Sequence, residues 1–175
     1  MGFIRMRAIL LLLACSPILA AQGIKIVLVA GKPSHGPRQH EFNAGAMLLE
    51  KCLRQNQGVA TVLIKGGWPE DEGVFAGAGA IVLYEDGGTH HPMIADERLQ
   101  RLGRLMQKGV GLACLHYAVE VPKDRGGMEL LDWIGGYYER PYSQNPINDV
   151  PLSQASPNHP VSRGWTSFAS KDEWY

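Results

Sequence analysis

The sequence predicts an α/β fold built on a doubly wound, mostly parallel sheet with helices on both faces. Three observations carry this. Short apolar runs rich in β-branched residues end at glycine or polar residues, segments with helical apolar spacing alternate with them, and the links between the two are short. A chain of 175 residues with 45% hydrophobic content is large enough for one domain with a packed core.

Ile24-Lys-Ile-Val-Leu-Val-Ala30 reads as the first strand, ended by Gly31. The polar loop Lys32-Pro-Ser-His-Gly-Pro37 leads into a helix from about Gln39 to Gln55, with Phe42, Ala46, Leu49 and Leu53 on its core face. Gly58 closes it. Val59–Ile64 and Ala80–Tyr84 read as the second and third strands. Pro92 in a first turn, acids at Asp96 and Glu97, apolar Ile94, Leu99, Leu102 and Met106, and a Lys108-Gly109 stop define the next helix.

That helix delivers the chain into Gly109-Val-Gly-Leu-Ala-Cys-Leu-His-Tyr-Ala-Val-Glu120, an apolar run that halts at a histidine. Buried parallel strands have this pattern, and ligands of open α/β sheets gather where such strands end. Beyond Glu120 the pattern loosens: Gly126–Ile134 reads as a short helix, a proline-bearing stretch runs to Pro160, and Phe168–Tyr175 reads as a strand. A last strand with no terminal helix or polar tail leads us to expect a C-terminally incomplete domain.

The N-terminus reads as an export signal over residues 1–21: Arg5 and Arg7, an apolar stretch Ala8–Leu13, and small residues Ala20 and Ala21 for cleavage. It is too short to span a membrane as a helix. Leu12-Leu-Ala-Cys15 also has the form of a lipoprotein box, which would tether the protein through an acylated Cys15. Both routes place the protein outside the cytoplasm, periplasmic or secreted. Formal net charge is zero; without Arg5 and Arg7, 15 cations face 17 acids, a net of −2. That balance offers no electrostatic basis for binding nucleic acid or an anionic membrane surface. Cys52 and Cys114 are expected as small hydrophobes, Cys52 on the apolar side of its helix and Cys114 inside its strand, and not as a disulfide.

The candidate chemistry centres on His116, able to bind a metal, act as acid or base, or hydrogen-bond a hydroxyl, with a structural tie to a carbonyl as the alternative. His35 and His40 leave the first strand on the same sheet edge, and Glu41 opens the helix behind them. Glu85-Asp-Gly-Gly-Thr-His-His91 leaves the third strand there too; its composition suits a divalent metal, while adjacent histidines more simply cap the following helix. His159 and the Asp172-Glu173 pair would add acid–base or metal-ligating groups near His116. Trp133, Tyr137, Tyr138, Tyr142, Trp165, Trp174 and Tyr175 supply faces that stack on sugar rings or pack the core. No dinucleotide fingerprint, phosphate loop or nucleophile elbow is present.

In order, Lys32-Pro-Ser-His-Gly36, His40-Glu-Phe-Asn43, Leu115-His-Tyr-Ala118, Asp132-Trp-Ile-Gly-Gly136, Asn158-His-Pro-Val-Ser-Arg-Gly164 and Asp172-Glu-Trp-Tyr175 resemble the trehalose-utilisation ThuA-like family, over residues 24–175. The resemblance implies a flavodoxin-like three-layer sandwich of the class I glutamine amidotransferase-like group, and a role in bacterial use of a disaccharide or a derivative. On that basis His116, His159 and Glu173 are the expected catalytic residues of a hydrolase or lyase-type enzyme, and His35, His40, Tyr117, Glu120 and Asp172 the expected substrate contacts. A non-catalytic carbohydrate-binding module is the alternative.

Two departures bear on the chemistry. The turn that holds a cysteine nucleophile in amidotransferases of this fold here carries Leu115-His116-Tyr117, which argues against glutamine hydrolysis. Asn145-Pro-Ile-Asn148 lacks the histidine expected after Asn-Pro.

Overall fold

The computed structural model describes residues 23–175. The expected export signal and Cys15 lie outside them. Among the described residues no helix is long and apolar enough to cross a membrane.

Strands β1 (Ile24–Ala30), β2 (Val59–Ile64), β3 (Ala78–Tyr84) and β4 (Gly111–Cys114) form one parallel sheet in the order β2-β1-β3-β4. This is the order in which flavodoxin-like sheets begin. β1 is central: Val27 lies beside Val62 on one side and Ile81 on the other, and Val29 beside Ile64 and Leu83. Leu112 and Cys114 of β4 continue the rows at Ile81 and Leu83. The alternation of side chains along each strand then sorts the core into two faces.

The larger core takes Val27, Val29, Ile81 and Leu83 from the sheet and packs them against Met93 and Ile94, Leu102 of α2 (Arg98–Met106) and Leu130 of α3 (Met128–Ile134). The opposite face is covered by α1 (Phe42–Leu53), whose Phe42 and Ala46 seat on Ala30, Leu63 and Tyr84. Burying Phe42 completely contributes roughly 1.5–3 kcal/mol. The chain is thus an α/β sandwich, as its sequence pattern requires.

Details depart from the sequence expectation where tertiary contact decides. Leu49 is 36% exposed and Cys52 is exposed, because Cys52 lies about a quarter of a turn from the Phe42–Ala46 line that meets the sheet. Both Cys52 and Cys114 are free thiols. The helix expected from Pro92 is split: a 3-10 turn over Pro92–Ile94 is separated from α2 by Asp96 at φ 51°. After α3, β5 (Ile147–Leu152) and β6 (Phe168–Glu173) form an antiparallel hairpin in a second sheet. Phe168–Glu173 is a strand as its sequence predicts, but its partner β5, carrying Pro151, was not legible in the pattern.

Where β1 and β3 end, the backbones nearly touch. A Cβ on Gly31 would stand 2.8 Å from the Glu85 Cα, so this strand exit needs glycine for lack of room. Beneath it the Glu85 and His91 side chains are fully enclosed. His91 accepts a hydrogen bond at Nδ1 from the Met93 backbone (3.2 Å) and donates from Nε2 to the Ala118 carbonyl (2.9 Å). Those partners define a neutral ring with its proton on Nε2.

Burial holds the His91 pKa down to about 4 and pushes the Glu85 carboxyl up to about 8, so the two are a neutral acid and a neutral base although Oε1 and Nδ1 lie 3.5 Å apart. Between pH 6.5 and 8 an unfolded Glu85 is ionised while the folded one keeps its proton, so stability falls as pH rises through that window. His91 has the opposite sign, and its contribution is complete above pH 6.5. Glu85→Gln is therefore expected to remove a loss of about 2 kcal/mol between pH 6.5 and 8, read as a flatter dependence of the urea midpoint on pH.

Candidate functional site

Parallel strands send their carboxyl ends to one edge, and in the order β2-β1-β3-β4 the chain reverses direction between β1 and β3. The loop after β1 brings His35 and His40 to this edge. The loop after β3 brings Glu85 and Asp86, and the turn after β4 brings His116 and Tyr117. A cleft of about 1370 Å³ opens here, lined by His35, His40, His116, Tyr117, Glu120, Asp172 and Glu173 among others. Every residue expected from the sequence to act at the site is therefore in one cleft, with the exception of His159.

His159 does not line this cleft. It is exposed and its Nδ1 accepts from the Val161 backbone at 3.3 Å, capping the turn Pro160–Ser162. The Asn-His-Pro motif is spent on a local turn.

The centre of the cleft is a compact set of side chains. His116 Nε2 lies 3.3 Å and His40 Nε2 lies 3.7 Å from the same oxygen, Glu173 Oε2. Asn145 Nδ2 donates to the other oxygen, Oε1, at 2.7 Å, and Asn145 Oδ1 in turn accepts from the Tyr138 hydroxyl at 3.0 Å. The hairpin thus delivers Glu173 with one oxygen tied down and one facing the two imidazoles. Tyr175 packs edge-on against His116, with ring centres 5.0 Å apart, and Tyr138 against Tyr175 at 5.3 Å.

Both histidines sit at positive φ, His116 at 54° and His40 at 47°. Left-handed backbone at a non-glycine residue costs on the order of 1–3 kcal/mol and clusters where function requires a side chain to be aimed. At His116 this turn follows the Leu115 N–H bond to the Leu83 carbonyl (2.9 Å), which ends the ladder and throws the ring out of the sheet.

The electrostatics are set by crowding of imidazoles. Burial, then His116, then His35 hold His40 below its ordinary pKa, against the raising influence of Glu173 and Asp86. Tyr175 is pushed well above the usual phenol range by burial and by Glu173. Cys114, one residue before the turn, has its thiol pushed up to about 12 by burial and by Glu85. It is neither ionised nor at the turn, so it does not supply a thiolate.

The flanks are polar. Glu120 Oε1 lies 3.4 Å from Arg140 Nε, and Asp172 Oδ1 accepts from the Glu173 backbone at 2.8 Å. Sequence reasoning missed Asn145 and the orienting role of Tyr138, because both act through Glu173, 28 and 35 positions away. Among the aromatic residues, Tyr138 and Tyr175 line the cleft, while Trp133 and Tyr137 pack on the core and Tyr142 is exposed.

Comparison with protein-family models, with curated proteins and with solved structures found no significant match to this chain. The crowding of His40 makes its own prediction. In a histidine-resolved NMR titration its midpoint is expected below the ordinary value, raised by His116→Ala and lowered further by Glu173→Gln.

Proposed function

We propose that this chain is an exported ThuA-like protein of the class I glutamine amidotransferase-like group that acts on a small saccharide, a disaccharide or its derivative, by acid–base chemistry at His116. One observation carries the proposal: a histidine at the end of a parallel strand faces a carboxylate whose other oxygen is held, inside a cleft large enough for a disaccharide. The ordered motifs from Lys32 to Tyr175 support the family assignment, and the strand order is compatible with the flavodoxin-like sandwich that the family implies.

Chemically, Glu173 positions the His116 ring and balances the imidazolium that forms when it takes a proton. With Nε2 engaged by Glu173, Nδ1 is the nitrogen that exchanges a proton with the substrate. Tyr117, Tyr138 and Tyr175 give apolar faces for a sugar ring, while Glu120, Arg140 and Asp172 offer hydrogen bonds to its hydroxyls. Glutamine hydrolysis is not part of the proposal, since the thiol at Cys114 is protonated and lies before the turn. The same aromatic lining suits a binding module that holds a sugar without chemistry, and the two readings differ in turnover.

Screening the purified chain against disaccharides and their oxidised derivatives is expected to reveal turnover that His116→Ala and Glu173→Gln each reduce by about 10²- to 10⁴-fold. Cys114→Ala should leave it within about twofold, since a buried thiol takes no part. A folded His116→Ala protein with full activity overturns the assignment. Saccharide binding by calorimetry with no turnover on any substrate identifies the binding module instead.

A further inference from the structure

The crevice between the ends of β1 and β3, beside the His116–Glu173 pair, contains a polar problem that the acid–base reading leaves unsolved. His40 Nδ1 and Asp86 Oδ1 are both buried, and neither has a hydrogen-bond partner. Leaving such atoms unsatisfied costs roughly 1–3 kcal/mol each, so native structures rarely do it without reason. The two residues and His35 each offer a ligand atom, and these atoms lie within 4.8 Å of one another.

The remaining polar atoms of the histidines are already engaged on their far sides. His35 Nδ1 bonds the Ser34 hydroxyl at 2.8 Å, which leaves Nε2 as its free donor atom. His40 Nε2 lies 3.7 Å from the Glu173 carboxylate, so the negative charge there favours the ring proton on Nε2 and leaves Nδ1 as the lone-pair nitrogen. His40 Nδ1 and Asp86 Oδ1 are then two acceptors side by side with no donor between them. Metal-binding histidines show this division, one nitrogen on the ion and the other N–H turned to a carboxylate or hydroxyl that fixes the tautomer.

We infer that His35, His40 and Asp86 bind a divalent transition-metal ion of the zinc class at the switch point between β1 and β3. Two imidazoles and one carboxylate are the ligand set of open, three-ligand zinc sites, with ligand bonds of about 2.0–2.2 Å. Bonds of that length in a tetrahedron place ligand atoms about 3.4 Å apart, so the three donors must close modestly. His35, on an exposed loop, is the member able to move. His40 is held at φ 47° by the turn that starts α1, and Asp86 lies two residues past the end of β3.

The site is distinct from the alternative grouping of His40, His116 and Glu173, which also lies within 4.8 Å, because there the carboxylate already has a donor on one oxygen and an imidazole near the other. An ion on His35, His40 and Asp86 leaves His116 free for proton transfer. Glu173 then serves both sides, as the carboxylate behind the ligand His40 and the partner of His116. The proposal does not depend on the saccharide assignment, since it is argued from unpartnered atoms and ligand spacing, although His35 and His40 also line the cleft.

The test is uptake of Zn²⁺ by the purified full chain, measured by calorimetry, with Co²⁺ as a spectroscopic probe of the ligand field. One equivalent of Zn²⁺ per chain is expected. His35→Ala and Asp86→Asn should each weaken binding by at least about 10-fold and alter the visible Co²⁺ bands, whereas His116→Ala should change affinity by less than about threefold. Asp86→Asn keeps the shape of the side chain and His35 is exposed, so both variants fold. Absence of stoichiometric Zn²⁺ binding overturns the proposal. So does loss of binding in His116→Ala with His35→Ala and Asp86→Asn unaffected, which would place the ion on His40, His116 and Glu173. Neither readout involves a saccharide, so failure here is separable from failure of the catalytic reading.

Discussion

The parallel pairing of β1 with β3 is the constraint on which the rest of the molecule depends. Its register sets Val29 beside Leu83 and Ala30 beside Tyr84, so both strands end at the same level and their loops emerge together. β4 joins β3 at Ala80, beside Gly111, and ends at Cys114 beside Leu83. A one-residue slip of β1 on β3 would turn the β1 apolar set away from α2 and α3, and a slip in either pairing would move His116 relative to His40. Stability and site geometry are thus imposed by one set of backbone hydrogen bonds.

The same edge concentrates the costs of the fold. Positive φ at His40 and His116, unpartnered buried atoms on His40, Glu85 and Asp86, and a neutral Glu85–His91 pair all lie within the loops that leave β1, β3 and β4. The apolar core beneath, from Val27 through Leu130, is where the compensating free energy resides. Functional sites commonly have this distribution, with strain and desolvation confined to a rim over a well-packed base.

Glu173 shows how the small second sheet extends the site. It is the last residue of β6, and its carboxylate reaches the β4 turn only because the hairpin folds back over the carboxyl edge. Asn145, just before β5, then anchors it, with Tyr138 behind. A strand outside the main sheet therefore supplies the carboxylate, and a loop lacking the expected histidine supplies its hydrogen bond. The resemblance drew attention to Asp172-Glu173, but nothing local to that motif indicates which acid turns inward.

From the amino-acid sequence by itself came the α/β layering, the strands β1 to β4, and the expectation that His35, His40, His116, Tyr117, Glu120, Asp172 and Glu173 act together. Apolar periodicity reports which face of a segment is buried, and strand ends in such sheets converge, so these inferences need no coordinates. Tertiary structure alone decided that His159 is spent on a turn, that Cys52 faces solvent, that β5 and β6 pair with each other, that Asn145 anchors Glu173, and that Asp86 stands beside His35 and His40. These facts depend on contacts between residues far apart in the chain, and on which polar atoms are left without partners once the backbone has closed. Periodicity describes each segment against an average core; the partner of a particular nitrogen or oxygen exists only when the segments have met.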